Sequence, residues 1–298
     1  NYFATIFFLT YYTSMRVLAK HEWPELLHQL PEQAKPKQLW IEGDPLPPDA
    51  LCVAIVGTRK CTSYGKEAAY DIAFELAKQK IVIVSGLAVG IDTVAHEAAL
   101  DAGGRTIAVL GSGLDPEVRF SFRNHTLAER ISRSGGALIS EYEPRQIATL
   151  WTFPQRNRII AGIAKAVAVI EAREKSGALI TARFAAEYNR ELFTLPGSIF
   201  AETSRGTNLL IAQGAIPISH TRDILTALGM TKEDAAPHTL DTLSLPEQRA
   251  METLEEPLSL DEIIKRSELP AHEIMTATSM LEIKGLIRNM GGGVYRKT

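Results

Sequence analysis

VAIVG at residues 53–57, IVIVSG at 81–86 and TIAVLG at 106–111 are three runs of aliphatic and β-branched residues, each ending in glycine. None alternates apolar with polar residues, as a half-exposed strand would. Near-continuous apolarity is the mark of a parallel sheet covered on both faces. ALISE at 137–141, AVAVIEA at 166–172, ELFTLPG at 191–197 and AIPIS at 215–219 read as further strands, and amphipathic helical patterns over 65–78, 91–102, 123–133 and 178–188 separate most of them. Strands alternating with helices predict a doubly wound α/β fold with a mostly parallel sheet over residues 51–229.

On the amino-terminal side, residues 21–50 hold six of the fifteen prolines and one edge-strand pattern, at 39–42, and read as a segment wrapped on the main domain. Residues 1–20 are set aside from the fold, as leader or as sequence ahead of a start at Met15. Their apolar stretch at 2–12 falls short of the roughly 20 residues a membrane helix needs, and it has no basic region before it. On the carboxyl side, 230–245 has no periodicity and reads as a linker. Three helical patterns (246–255, 259–267, 271–284) and a GGG-centred hairpin follow, which is the winged-helix order, placed at 246–298. Ser259 and Glu262 have the spacing of a capping box for the second of these helices.

A length of 298 residues with 45% hydrophobic and 22% charged residues suits one large domain and one small one. Cys52 and Cys61 are too few for a disulfide framework and lie apart from any metal-ligand spacing, so a reducing cytoplasm and no zinc are expected. The net charge of −3 is unevenly spread: residues 51–220 carry 19 Lys and Arg against 16 Asp and Glu.

Ligands of a parallel sheet sit beyond the carboxyl ends of its strands, so the residues that leave each strand carry the functional signal. These are Gly57-Thr58-Arg59-Lys60, Ser85-Gly86 through Gly90 to Asp92, Gly111-Ser112-Gly113, Phe153 to Arg158, Ser176-Gly177, Pro196-Gly197-Ser198 and Ser204-Arg205-Gly206. Any one loop is explained by turn geometry. Together, with Arg59, Arg156, Arg158 and Arg205 among them, they predict an anion site. A Walker A loop is absent, since Gly65-Lys66 is followed by Glu67, and Gly111-Ser112-Gly113 lacks the third glycine of a dinucleotide loop. No nucleophile stands in an elbow motif. Asp92 and His96, four apart, are read as a helix cap and a packed or paired neighbour rather than as an acid and base. Aromatic residues interleave with the cations: Phe120 and Phe122 before Arg123, and Trp151 and Phe153 before Arg156. That mixture suits a single-stranded polyanion with stacked bases, for which Phe120 and Phe122 are candidates; for Trp151 and Phe153 burial in the core is the equal alternative.

GTRK (57–60), SGLAVGID (85–92), AVLGSGLD (108–115), FPQRNRIIAG (153–162), SGALITA (176–182), PGSI (196–199) and SRGTNLLIAQGA (204–215) occur in one order, and in this the chain resembles the DprA family, also called Smf. The resemblance implies an extended Rossmann fold, homodimerisation through it, single-stranded DNA binding, and loading of the RecA recombinase during natural transformation, with no catalysis and no cofactor. It carries DNA-phosphate binding onto Gly57, Thr58 and Arg59, and places Arg156, Asn157 and Arg158 at the same site. One departure is Phe120-Ser121-Phe122-Arg123-Asn124, where the family has Tyr-Pro-x-x-Asn. The phosphate-binding set expected is Gly57, Thr58, Arg59, Lys60, Arg156, Asn157, Arg158, Ser176 and Arg205, framed by loop glycines Gly86, Gly90, Gly111 and Gly113. The competing class is a nucleotide hydrolase resembling the lysine-decarboxylase-like phosphoribohydrolases. Its catalytic glutamate is replaced here, because Gly206-Thr207 runs into Asn208-Leu209-Leu210. In the winged helix seven bases face nine acids, which favours a partner-binding or accessory role over DNA contact by an Arg288, Arg296 and Lys297 wing.

Overall fold

The apolar runs form strands because their residues pack alternately against helices on two sides. In the structure, a computed structural model, residues 15–119, 124–230 and 243–297 are described. The chain divides into two units, Asn1–Thr231 and Lys232–Thr298.

In the first unit the strands are β1 (Met15–Val17), β2 (Trp40–Gly43), β3 (Cys52–Val56), β4 (Val82–Ser85), β5 (Thr106–Val109), β6 (Ala137–Ser140), β7 (Ala166–Val169), β8 (Glu191–Thr194) and β9 (Ile216–Pro217). The sheet order is β1-β2-β6-β5-β4-β3-β7-β8-β9. Strands β3 to β9 pair in parallel, while β2 joins β6 and β1 joins β2 antiparallel. Every residue of β3 to β7 is buried, as a sheet covered twice requires. Val53, Ile55, Ile83 and Ala168 point into one core with Ile72 and Leu76 of α2 (Ser63–Lys78) and Ala95 and Ala98 of α3 (Ile91–Asp101). Cys52, Ala54, Val84 and Val167 point the other way, onto Leu27, Ile159, Ile163 and Ala182. These belong to α1 (Glu25–His28), α5 (Thr152–Ile163) and α6 (Gly177–Glu187); α4 (His125–Arg133), α7 (Glu202–Ala212) and α8 (Thr221–Ala227) complete the unit. The architecture is Rossmann-like, as expected.

Five elements go beyond the sequence reading. Helices α1, α5, α7 and α8 carry no amphipathic pattern that marks them in the sequence. Strand β1 pairs with β2 through Met15↔Glu42, so residues 15–17 belong to the sheet rather than with the set-aside segment. The apolar stretch at 2–12 lies outside the described residues. Among the described residues no helix is long and apolar enough to cross a membrane.

The second unit is a winged helix: α9 (Leu245–Thr253), β10 (Leu258–Ser259), α10 (Leu260–Ser267), α11 (Ala271–Ile283), β11 (Ile287–Asn289) and β12 (Val294–Lys297), with the three strands in the order β10-β12-β11. Its core is Ala250, Leu254, Leu258, Ile263, Ile274, Leu281 and Ile287. Ser259 and Glu262 form the expected capping box: Glu262 N donates to Ser259 Oγ at 3.3 Å and Ser259 N to Glu262 Oε2 at 2.9 Å.

Candidate functional site

The sheet changes direction at β3, with β4, β5 and β6 laid down on one side and β7, β8 and β9 on the other. The crevice beyond the carboxyl ends of β3 and β7 is therefore the expected ligand position. A carboxylate of the chain itself occupies it. Glu171, just past β7 and 2% exposed, accepts from Thr62 N at 2.8 Å, Thr62 Oγ1 at 2.7 Å and Thr203 Oγ1 at 3.1 Å, and its carbonyl accepts from Thr58 N at 2.8 Å. Thr62 is the residue that caps α2. Sequence reasoning missed Glu171, because its partners lie 32 and 109 residues away.

To the β4 and β5 side the edge is open. A pocket there is lined by Arg59, Gly86, Leu87, Ala88, Leu110, Gly111, Ser112, Phe153 and Arg156. Arg59 is exposed at its rim, its guanidinium carbon 5.6 Å from the centre of the Phe153 ring. Lys60 is exposed beside it, and Thr58 Oγ1 accepts from Lys60 N at 3.2 Å, which folds the loop on itself. Two glycines exist here for close approach. A Cβ on Gly86 would lie 2.6 Å from the Arg156 guanidinium, and one on Gly111 would lie 2.8 Å from the Phe153 ring.

Arg156 lines the pocket from its floor. It is 5% exposed and donates from Nη1 to Gly86 O at 2.8 Å and to Val109 O, and from Nε to Asn157 Oδ1 at 3.1 Å. Burial lowers its pKa to about 10, against the attraction of Asp92, so it is a cation at neutral pH. Asp92 does not cap α3; Gly90 holds that position, with φ +94°. The Asp92 carboxylate accepts from Gly86 N at 3.1 Å and Ala88 N at 3.4 Å. Its pKa is raised by burial and pulled back by Arg156. The loop between them contains Leu87 at φ +58°, a conformation that a bulky side chain adopts only when its surroundings over-determine it. Here Asp92 binds its amides, Arg156 one of its carbonyls, and Asn124 Nδ2 the Leu87 carbonyl at 2.8 Å.

His96 is fully buried and paired not with Asp92 but with Thr106, Nδ1 to Oγ1 at 2.6 Å. Thr106 Oγ1 also lies 2.7 Å from Ile83 O, to which it can donate. Burial lowers the His96 pKa to about 3.

The other residues expected at the site are placed differently. Arg158 is held by Glu141 in a two-armed ion pair at 2.7 and 2.6 Å, with 16% and 14% of the side chains exposed. Asn157 Nδ2 donates to Gly177 O at 3.2 Å, and Ser176 Oγ accepts from Ala178 N at 3.3 Å as the cap of α6. Arg205 is exposed on α7 and does not line the pocket. Gly113 N donates to Gln146 O at 2.8 Å, tying its loop to the one beyond β6. Gly57 sits where the β3 loop meets α3, a Cβ there lying 2.6 Å from Ile91. Phe120 and Phe122 lie outside the described residues. Trp151 is not core: it is 79% exposed, with Leu150 at 87% beside it, and Phe153 is half-buried.

Fold and edge together define a Rossmann-like domain with an open, arginine-rimmed carboxyl edge, carried in one chain with a winged helix. The chain belongs to the DNA recombination-mediator protein A family, whose model matches residues 14–229; the DprA winged helix domain matches residues 234–293. Protein Smf of Escherichia coli K12 is 38% identical over 271 residues, covering 88% of this chain and 72% of that protein. DNA processing protein DprA of Bacillus subtilis 168 is 37% identical over 229 residues, 72% of this chain and 75% of that protein. The solved structure of DNA processing protein A from Streptococcus pneumoniae matches with a TM-score of 0.65 at 37% identity, over 73% of this chain and 75% of that one. That of the Helicobacter pylori protein, described for its single-stranded DNA binding mode, matches at 0.64 and 34% identity, over 72% and 95%. The family is one of DNA recombination mediators, and the relatives are DNA processing proteins, which favours DNA processing over the nucleotide-hydrolase alternative.

Proposed function

We propose that this chain binds single-stranded DNA along the carboxyl edge of β3, β4 and β5, protects it, and loads the RecA recombinase onto it. The observation that carries the reading is the exposed Arg59 guanidinium beside the Phe153 ring at the rim of the glycine-walled pocket. A planar cation next to an aromatic face suits a phosphate on one side and a stacked base on the other. Gly57, Thr58 and Lys60 extend the phosphate strip, and Trp151 supplies a second platform, since a large aromatic ring this exposed marks a contact surface. In this reading Arg156, Asn157, Arg158 and Ser176 hold the loops, and Arg205 adds a cation beyond the pocket.

The single-stranded DNA binding mode described for the Helicobacter pylori relative supports the choice of ligand. The RecA step, the part played in natural transformation and competence, homodimerisation through the Rossmann-like domain, and a cytoplasmic location rest on the family resemblance. The test is fluorescence anisotropy of a labelled poly-dT strand against a duplex of equal length, across a salt series, for wild type and Arg59→Ala. Preference for the single strand with a salt slope that the substitution lowers is expected. Equal, weak binding of both by both proteins would overturn the reading.

A further inference from the structure

In the winged helix the helix that would enter a DNA groove, α11, presents no cation on its outward arc. Met275, Met280 and Ile283 are exposed there at 52%, 43% and 79%. The remaining outward residues are His272, Thr276 and Ser279. Both hydroxyls are turned back onto their own helix: Thr276 Oγ1 donates to His272 O at 2.9 Å and Ser279 Oγ to Met275 O at 3.0 Å. At 3.6 residues per turn, Glu273 and Glu282 fall on the two borders of this arc. A helix that reads a major groove needs the opposite equipment, arginine, lysine, asparagine or glutamine donors reaching base edges and phosphates. Three of the unit's bases are engaged within it, Lys284 with Glu247 at 2.6 Å, Arg249 with Glu252 at 3.1 Å and Arg266 with Glu256 at 3.1 Å.

We infer that α11 is a protein-docking helix, and that its partner is an amphipathic helix whose apolar stripe is flanked by lysine or arginine. The apolar centre supplies burial, and methionine, unbranched and polarisable, fits side chains of varied shape. The acidic borders select cations on either side of that stripe and reject the phosphates of DNA. The inference concerns a different unit from the single-strand edge, so each stands or falls on its own measurement.

The test uses the full chain with methyl-labelled methionine, whose six methyl signals are assigned at the helix through Met275→Leu and Met280→Leu. One probe is a synthetic amphipathic helical peptide of leucine and lysine; the others are its leucine–glutamate counterpart and a duplex oligonucleotide. The leucine–lysine peptide is expected to move the Met275 and Met280 signals while leaving Met15 in place. The leucine–glutamate peptide is expected to bind at least about tenfold more weakly. Met275→Ser with Ile283→Ser, both at exposed positions, is expected to weaken the leucine–lysine peptide about tenfold or more. Shifts of Met275 and Met280 with the duplex, no shift with the leucine–lysine peptide, equal affinity for both peptides, or shifts that depend on protein concentration alone would each overturn the inference.

Discussion

Replacing Arg156 with methionine separates holding a loop from binding a phosphate. The guanidinium supplies donors to the buried carbonyls of Gly86 and Val109 and to Asn157 Oδ1. Methionine fills comparable space without a donor, and a buried polar group left without its partner costs about 1–3 kcal/mol. Asp92 loses a nearby cation that pulls its raised pKa back, but no ion pair joins the two, so the orphaned acceptors decide the loss. They share one donor group and do not add fully, so about 3 kcal/mol is expected in total. Urea denaturation followed by tryptophan fluorescence reads it cleanly, because Trp23, Trp40 and Trp151 all lie in the first unit. At about 1–3 kcal/mol per molar urea the midpoint should fall by at least about 1 M. Arg59→Ala is the contrast: stability within about 0.5 kcal/mol of wild type, and a salt slope of single-strand binding shallower by about one unit. An Arg156→Met protein as stable as wild type, with single-strand binding weakened and its salt slope reduced, would refute the argument and return Arg156 to the phosphate ligands.

Phe153→Ala should weaken single-strand binding by about 1–3 kcal/mol, or roughly 5- to 150-fold, at an unchanged salt slope; unchanged affinity would take the ring out of the DNA path. Binding of a dT strand should quench tryptophan fluorescence through Trp151, since Trp23 is only 3% exposed, and Trp151→Phe should abolish most of the effect; quenching that survives the substitution would assign it elsewhere. His96 titrates near 3 in the folded chain against an ordinary 6.5, so the unfolded state binds the extra proton between these values. Its contribution to stability is complete above about pH 6.5 and is lost as the pH falls towards 3. Urea midpoints between pH 7.5 and about 4.5 should therefore decline more steeply for wild type than for His96→Gln, and parallel declines would contradict the assignment.

The core strands were legible because burial on both faces leaves one kind of residue at every position, and no long-range information is needed to see it. Helix α5 was not, because its buried side includes Arg156 and Asn157, polar residues that interrupt the apolar stripe by which an amphipathic helix is recognised. Strand β1 has three residues and exists through its pairing with β2. At the site, the gathering of glycine and arginine loops on one edge follows from the direction of parallel strands alone. Which arginine faces outward does not. Arg156 and Arg158 are two positions apart, on different sides of α5, and each is claimed by a partner that only the fold brings near: the carbonyls of Gly86 and Val109 for one, Glu141 for the other.

Glu171 accounts for why this fold should serve a polymer. In a doubly wound sheet the switch crevice ordinarily takes a phosphate, attracted by the amides at a helix amino terminus. Here the Glu171 carboxylate meets the cap of α2 directly, with Thr62 supplying an amide and a hydroxyl and Thr203 a second hydroxyl. The helix terminus thus already has its anion, and a small phosphate ligand would have to displace a buried charge that accepts three hydrogen bonds. In the proposed reading, anion binding falls to the edge beyond β3, β4 and β5. Such an edge holds a nucleotide poorly, because little of the ligand is enclosed. In the proposed reading, a strand that crosses the edge would make the Arg59, Phe153 and Trp151 contacts in series, and their small individual contributions would sum along one chain.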